Sequence, residues 1–268
     1  MNINLDQIRE IALKGIRRAT VFLGLGVNAA RDNTFTLYEL PENHIKFIPE
    51  KVSSEEVLSF KKHFEKWIIW NSLRELIESF GIFLDAIHQS CLLFATNKGR
   101  VTPKDANTWG PAFERKGVEE KLKILRTRFN IVTKNEKYFA TINQARNCIT
   151  HRKGRIGTED LKGSDSFRPT WRAFEIIAQT PDGKEISLRP PIPETGIYCK
   201  DGGMISLKVL ERLKDFKLGE VIEFTPVDIN EIGFLINEAA NGIVASTVTY
   251  AKDLGIKFAE HDAQPDRG

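Results

Sequence analysis

The sequence of 268 residues has few cysteines and no long apolar run. Its three cysteines, Cys91, Cys148 and Cys199, are odd in number and far apart, so they predict neither a disulfide framework nor a paired metal-ligand spacing. No segment approaches the ~20 apolar residues that a membrane-spanning helix needs. The N-terminal residues lack the basic and apolar regions of a signal peptide. The sequence therefore predicts a cytoplasmic protein with reduced thiols and no membrane partner.

Several common functional motifs are also missing. The sequence contains no phosphate-binding loop, no His-Glu-x-x-His pair and no nucleophile elbow, and its five histidines are scattered without metal-ligand spacing. Residues 24–29 match the dinucleotide pattern Gly-x-Gly-x-x-Ala, but an extended segment rather than a helix is predicted after Asn33. We therefore expect no nucleotide-binding fold of that kind, no cofactor and no bound metal.

The charges are distributed unevenly along the chain. The net charge is +3, yet residues 111–155 contain twelve Lys and Arg against four acids, a local excess of eight positive charges. Such a concentration attracts a polyanion to one region, although a solvated helix face would explain some of the lysines equally well. From this region we predict RNA contacts by six cations: Lys121, Lys123, Arg126, Arg152, Lys153 and Arg155.

A helix is predicted over residues 136–153, and it ends in a basic turn. Tyr138, Ile142, Ala145 and Ile149 have helical spacing and form one apolar face. Basic residues in the last turn favour the negative end of the helix dipole, and Gly154 suits the left-handed position just beyond it.

Three polar side chains lie on this helix away from its apolar face. Asn147 and His151 are four residues apart and share a face, and Arg146 flanks them. These residue types suit the handling of a phosphodiester without a metal. Arginine clamps phosphate oxygens, histidine exchanges protons near neutral pH, and an amide can orient the imidazole. A helix end with solvated basic residues would have the same spacing.

The spacing Arg-Asn-x-x-x-His, followed by a basic turn and Gly154, resembles the signature of the HEPN (higher eukaryotes and prokaryotes nucleotide-binding) superfamily. The resemblance covers residues 54–155 and extends to a last helix expected near the C-terminus. It implies a helical bundle and a metal-independent endoribonuclease, with Arg146, Asn147 and His151 as catalytic residues. It also implies a toxin or antiviral defence effector whose site is built across a homodimer. In the branch that pairs with a nucleotidyltransferase antitoxin, a tyrosine stands where this chain has Lys153, so that particular partner is not predicted.

Other helices are predicted around the signature. The first spans residues 5–23, and an irregular segment with a short hairpin follows over residues 37–48. Ser53 and Glu56 form a capping box that starts one long helix or two in tandem, whose second half is apolar enough to be the central helix. Glu75, Glu78 or Asp85 on that half could pair with Arg146, although surface acids are usually solvated. Residues 99–111 are predicted as a loop and residues 118–129 as a basic helix.

The chain after Gly154 has a different pattern. Residues 171–178 and 185–188 predict a β-hairpin around a turn at 180–183. A stiff proline-rich connection at residues 190–193, a short helix over 207–216 and a strand over 221–224 follow. A last helix begins at Thr225 and Pro226 and runs to Gly255. The fold class is thus mainly α, a HEPN-like helical bundle in one domain of residues 1–268. Its helical core covers residues 1–155 and 226–255, and a β-rich insertion covers 167–224.

Two classes of function fit these features. The first is the endoribonuclease, with RNA as substrate, a homodimer as working unit, and an antitoxin or defence-system protein as a further partner. The second is a non-catalytic HEPN-like module that binds RNA, nucleotide or a partner protein through the same basic face. The three signature residues favour the first class.

Overall fold

The computed structural model describes residues 3–36, 38, 52–188 and 202–257. The fold is mainly α, as predicted, with 63% helix and 13% strand among these residues. The elements in chain order are α1 (Leu5–Arg31), α2 (Ser54–Asn97), α3 (Pro103–Glu114), α4 (Val118–Phe129), α5 (Glu136–Arg152), α6 (Thr158–Leu161), β1 (Ser166–Phe167), β2 (Thr170–Gln179), β3 (Glu185–Ser187), β4 (Met204–Leu213), β5 (Phe216–Lys217) and α7 (Pro226–Asp253). Apart from Tyr38, the segment predicted over residues 37–48 lies outside the described residues, as do Cys199 and the connection at 190–193.

Helices α1 and α2 form a closely packed antiparallel pair. The predicted capping box at Ser53 is present, and α2 is one helix of 44 residues whose second half is the most buried part of the bundle. Helix α1 continues past residue 23, where its end was predicted, to Arg31. Gly26 stands inside this helix because α2 approaches it closely: a Cβ there would lie 2.6 Å from Ile68 Cγ1. The glycines at 24 and 26 therefore belong to a helix interior, and a nucleotide-binding turn is excluded at this position.

By length and composition alone, α2 could cross a bilayer. It is the one helix within the described ranges that meets this test. In the fold, 61% of its apolar window is buried against other parts of the chain, as expected for the central helix of a bundle. The absence of a membrane partner therefore remains a prediction.

Helix α3 occupies residues that were predicted as a loop. Thr102 Oγ1 accepts a hydrogen bond of 3.1 Å from Asp105 N, and Pro103 stands in the first turn, where its missing N–H costs nothing. Pro111 lies inside the helix, and Phe113 is buried two residues later. The loop prediction was wrong because it gave Gly110 and Pro111 more weight than the N-terminal cap and the buried Phe113.

His88 on α2 is buried against the α3 side chain Phe113. The two rings stack with centroids 3.9 Å apart, and His88 Nε2 has no hydrogen-bond partner among the described residues. Burial, assisted by the positive charges of Arg128 and Lys121, lowers the pKa of His88 to about 4 from 6.5. A neutral imidazole in this apolar site therefore contributes to stability only while it stays unprotonated.

The free energy of unfolding should consequently fall as the pH drops from 6.5 towards 4. In that range the unfolded chain takes up a proton at His88 and the folded protein does not, and the loss can reach about 3 kcal/mol. His88→Phe keeps the stacked ring and should flatten this dependence, measured by urea unfolding at pH 4.5, 5.5 and 6.5. The control His63→Phe changes an exposed histidine on the same helix and should leave the slope as in the wild type. An unchanged slope in His88→Phe would contradict the assignment.

The β-rich part contains a three-stranded antiparallel sheet in the order β3-β2-β4. The predicted hairpin of β2 and β3 is confirmed. The short helix predicted over residues 207–216 is wrong, because β4 pairs with β2 over ten residues, from Met204 opposite Gln179 to Leu213 opposite Thr170. The alternation of Ile205, Leu207 and Val209 with polar residues is the period-two pattern of a strand. Residues 221–224 form no strand, and Val221 makes one isolated bridge with Arg155.

Helix α7 connects the sheet to the bundle. Its predicted cap is confirmed, with Thr225 Oγ1 accepting from Asp228 N. The helix packs against α1, α2 and β2, and Trp171 of β2 donates a hydrogen bond of 2.8 Å to Glu231. One cluster of buried side chains contains residues of the helices α1 to α5, of β2 and of α7. The sheet therefore shares the core of the bundle.

Candidate functional site

Helix α5 carries the predicted signature and has a fixed end. It is continuous from Glu136 to Arg152, so His151 lies in its last turn as predicted. Both Lys153 and Gly154 have left-handed backbone angles, with φ of 51° and 74°. A Cβ on Gly154 would lie 2.6 Å from the ring of Trp70, and Ile222 N donates to Gly154 O at 2.8 Å. The turn after His151 is thus held between α2 and the chain before α7, and Gly154 is required for it.

Arg146 is partly buried beside α2. Burial lowers the pKa of its guanidinium, the negative charge of Glu78 opposes this shift, and the positive charge of Arg74 adds to it. Arg146 Nε is fully buried and has no hydrogen-bond acceptor among the described residues. Arg146 is therefore a cation whose hydrogen-bonding capacity the folded chain leaves unused.

Arg74 on α2 is a neighbour that the sequence analysis did not select. Its Nη1 lies 3.4 Å from Asn71 Oδ1 and its Nη2 lies 3.7 Å from a Glu78 oxygen. Its Nε is also buried without an acceptor among the described residues. Of the three acids considered as partners of Arg146, Glu78 is the one whose charge acts on it. Glu75 pairs with Arg18, and Asp85 with Lys121. The separation of four residues between Arg74 and Glu78 was a visible signal for this pair.

Asn147 and His151 point away from the core. His151 is exposed and Asn147 is partly exposed, and neither side chain has a hydrogen bond or an ion pair within the part of the chain that the structure describes. Asn147 therefore does not hold the imidazole in this state. In a continuous helix, Arg146 and His151 are separated by ~140° around the axis and ~7.5 Å along it. One protomer thus presents the two groups in different directions.

Lys121 does not lie on the predicted RNA-binding surface. The residue is 4% exposed, and its Nζ lies 2.6 Å from Asp85 Oδ1 and 3.3 Å from Gly81 O. It joins α4 to α2 inside the bundle, so the prediction that it contacts RNA is corrected. The sequence alone did not show that Lys121 is buried and Lys123 is exposed. Which lysine of a basic helix is buried depends on the acid that contacts it from another helix.

The other predicted RNA-binding cations differ in how they are held. Arg126 pairs with Glu136, and Arg152 pairs with Glu159 at 2.9 Å and with Asp160. Arg155 is exposed and donates to Gly219 O. Lys123 and Lys153 are exposed and have no ion pair with another described residue. The local positive charge of residues 111–155 is therefore partly neutralised by acids from other parts of the fold.

The basic helix α4 and His151 belong to opposite ends of α5. Arg126 Nε lies 3.2 Å from Glu136 at the start of α5, and fifteen residues at ~1.5 Å per residue place His151 ~22 Å away. Arg152, Lys153 and Arg155 are cations at the His151 end of α5. A bound polyanion that contacts both groups must therefore extend along α5.

A stripe of exposed aromatic side chains leads along α2 to Arg74. Phe60, Phe64 and Trp67 are 42%, 39% and 57% exposed, and the rings of Phe64 and Trp67 stack. Trp67, Asn71 and Arg74 follow at spacings of four and three residues, so they share a face of the helix. We refer to Phe60, Phe64 and Trp67 as the aromatic stripe. The stripe ends about two helical turns before Arg74.

The described residues contain no group of three or more His, Cys, Asp or Glu side chains placed to hold a metal ion. Comparisons with protein-family models, with curated proteins and with solved structures find no match. The interpretation of the site therefore depends on its own geometry and on the resemblance of its motif.

Proposed function

We propose that this protein is a metal-independent endoribonuclease of HEPN type. The observation that carries the proposal is the state of the two signature side chains at one end of α5. Arg146 keeps a buried Nε without an acceptor, and His151 is exposed without a partner among the described residues. A buried donor without an acceptor is costly, and a ligand that accepts a hydrogen bond from it would remove that cost. A phosphate oxygen is the acceptor that an arginine fork fits best.

The reaction that these residues support is attack of a ribose 2′-hydroxyl on the adjacent phosphate. The bond between the 2′-oxygen and phosphorus forms, the bond to the 5′-oxygen breaks, and a 2′,3′-cyclic phosphate and a 5′-hydroxyl result. His151 exchanges the protons of the attacking and leaving oxygens, and Arg146 stabilises the charge on the phosphoryl oxygens. Asn147 follows Arg146 on the exposed side, where it can position the imidazole once RNA is bound.

The working unit that we propose is a symmetric homodimer. Because α5 is continuous, one Arg146 and one His151 point in different directions and converge poorly on one phosphate. A two-fold axis near α5 would bring both copies of each residue to one cleft, through an isologous contact. The aromatic stripe is exposed on the same face of α2 as Arg74, and apolar side chains of this kind dominate stable interfaces.

The resemblance extends the proposal to a cellular role as a toxin or antiviral effector. A ribonuclease with an open, unpaired histidine would need restraint in the cell, which an antitoxin or another defence-system protein could supply. Lys153 is exposed in the left-handed position after α5. The tyrosine of the nucleotidyltransferase-paired branch would stand there, and this chain offers a cation instead.

The alternative is a binding module without catalysis, and the exposed side of the sheet favours it. Phe174 pairs with Val209, and Ile176 pairs with Leu207. Ile176, Leu207 and Val209 are 50%, 62% and 46% exposed on this side. An apolar sheet surface of this kind is typical of a protein-binding site. This surface lies outside the signature, so binding through it needs none of the signature residues.

The proposal is tested by incubating the purified protein with total RNA in excess EDTA. The wild type should fragment the RNA. The His151→Ala protein, purified in the same way so that a contaminating ribonuclease would be present in both samples, should not. Binding of RNA without fragmentation under a range of salt and pH would favour the alternative.

RNA binding should depend strongly on salt, and the exposed lysines should account for part of that dependence. The double variant Lys123→Ala, Lys153→Ala should weaken binding and reduce the slope of log K against log salt by about 0.7 for each lost phosphate contact. Lys14→Ala, Lys252→Ala changes two exposed lysines elsewhere and is the matched control. Binding is measured with 2′-O-methyl RNA, which lacks the attacking hydroxyl. The same slope in the wild type and the first variant would mean that these lysines only solvate the surface.

A further inference from the structure

We propose that Arg74 joins Arg146 in a single phosphate-binding site, and that Glu78 adjusts its charge to accept an internal phosphodiester. This inference rests on the proposed function, because it names a second substrate-binding arginine for the same site. Arg74 is contributed by α2 and Arg146 by α5, so the phosphate would be held between two helices of the bundle.

The first support is the weak pairing of these two arginines. The shortest ion-pair contact of Arg74 is 3.7 Å, to the half-exposed carboxylate of Glu78. Arg146 has no ion pair among the described residues, and the Nε atoms of both Arg74 and Arg146 are buried without an acceptor. Helices α2 and α5 run in opposite directions, with Phe80 stacked on Phe139 at one end and Trp70 against Gly154 at the other, so Arg74 and Arg146 lie at the same level of the helix pair. Two neighbouring guanidinium groups thus have donors to spare.

The second support is electrostatic. Burial lowers the pKa of Arg146 and the positive charge of Arg74 lowers it further, which means that the two cations destabilise each other. An anion between them would relieve the repulsion and accept from both guanidinium forks. Glu78 relieves it only in part, because its carboxylate is about half exposed and lies at 3.7 Å from Arg74.

Glu78 also determines which anion fits. Two guanidinium groups and one carboxylate give the cluster one net positive charge, which matches the single negative charge of an internal phosphodiester. A terminal phosphate carries close to two negative charges above pH 7 and would meet repulsion from Glu78. The cluster would therefore favour a phosphate inside a strand over one at its end.

The test is equilibrium binding of a fluorescein-labelled 2′-O-methyl RNA of twelve nucleotides, measured by anisotropy. Arg74→Gln should raise Kd by about tenfold, the equivalent of one charge-assisted hydrogen bond, and Glu78→Gln should lower Kd. In Glu78→Gln, a 5′-phosphate on the oligonucleotide should tighten binding more than it does in the wild type. Arg17→Gln removes an exposed arginine that is paired with Glu10 on α1, and it should leave Kd unchanged.

The opposite signs of the two changes separate binding from structure. If the cluster only stabilises the bundle, Arg74→Gln and Glu78→Gln should both lower the melting temperature and both weaken binding, and the inference is then wrong. An Arg74→Gln protein that binds the RNA with the wild-type Kd would also overturn the inference. The binding probe cannot be cleaved, so it reports on phosphate binding alone. Absence of cleavage in a separate assay with ordinary RNA would refute the proposed function and would leave the binding result as it stands.

Discussion

Replacing His151 with alanine is expected to lower the rate of RNA cleavage by ~10²–10⁴-fold, the usual cost of losing a general acid or base. His151 is exposed and has no hydrogen bond or ion pair among the described residues, so its removal should leave the fold intact. RNA affinity should change little, because phosphate contacts and not the imidazole supply most of the binding free energy.

Thr150→Ala is the matched control for this prediction. Thr150 is exposed in the same last turn of α5 and precedes His151 directly, so a general disturbance of the helix end would affect both variants. The rate of each variant is measured under single-turnover conditions with excess protein. Cleavage by His151→Ala at the wild-type rate would show that another residue carries the proton.

Trp67→Glu is expected to dissociate the proposed homodimer and to abolish most of the cleavage with it. Trp67 is 57% exposed on the aromatic stripe, on the face of α2 that leads to Arg74. A buried tryptophan at the centre of an interface typically contributes 2–4 kcal/mol, so its replacement by a charge should weaken dimerisation by about 30- to 1,000-fold. Sedimentation and the cleavage rate are measured at the same protein concentration.

Leu93→Glu is the control for the same kind of change on the same helix. Leu93 is 44% exposed, and twenty-six residues at ~1.5 Å per residue place it ~39 Å from Trp67. It should leave the dimer and the activity unchanged. A Trp67→Glu protein that is monomeric and still cleaves at the full rate would contradict the shared site.

Mixed dimers examine the same claim from the side of the catalytic residues. Homodimers of Arg146→Ala or of His151→Ala lack both copies of one residue. A mixed dimer of the two variants keeps one arginine and one histidine. If the cleft is shared, mixing and re-annealing the two inactive proteins should restore part of the cleavage.

The elements that depend on local sequence were predicted well. The cap at Ser53, the helix α4, the signature helix α5 with its left-handed end and the hairpin of β2 and β3 were all found. Each is determined by side-chain spacing or by a cap within a few residues. The positions of Arg146 and His151 on α5 followed directly from that helix.

The errors arose where distant residues decide the outcome. Gly26 lies in the interior of α1 where Ile68 of another helix leaves no room for a Cβ, and β4 is a strand because β2 lies beside it. Lys121 is buried because Asp85 meets it from α2. Arg74 was missed for the same reason, since its proximity to Arg146 depends on how α2 and α5 pack. Contacts between residues that are distant along the chain cannot be predicted from the local pattern of a single sequence.

The chemistry of the cleaved ends tests the central claim most directly. A 5′-labelled RNA of twenty nucleotides is incubated with the wild-type protein in excess EDTA, and the cleavage site is mapped. The account predicts fragments that end in a 2′,3′-cyclic phosphate, and it predicts that a single 2′-deoxynucleotide at the mapped site stops cleavage there. Fragments that end in a 3′-hydroxyl, cleavage that persists at the deoxynucleotide, or loss of all cleavage in EDTA would contradict it.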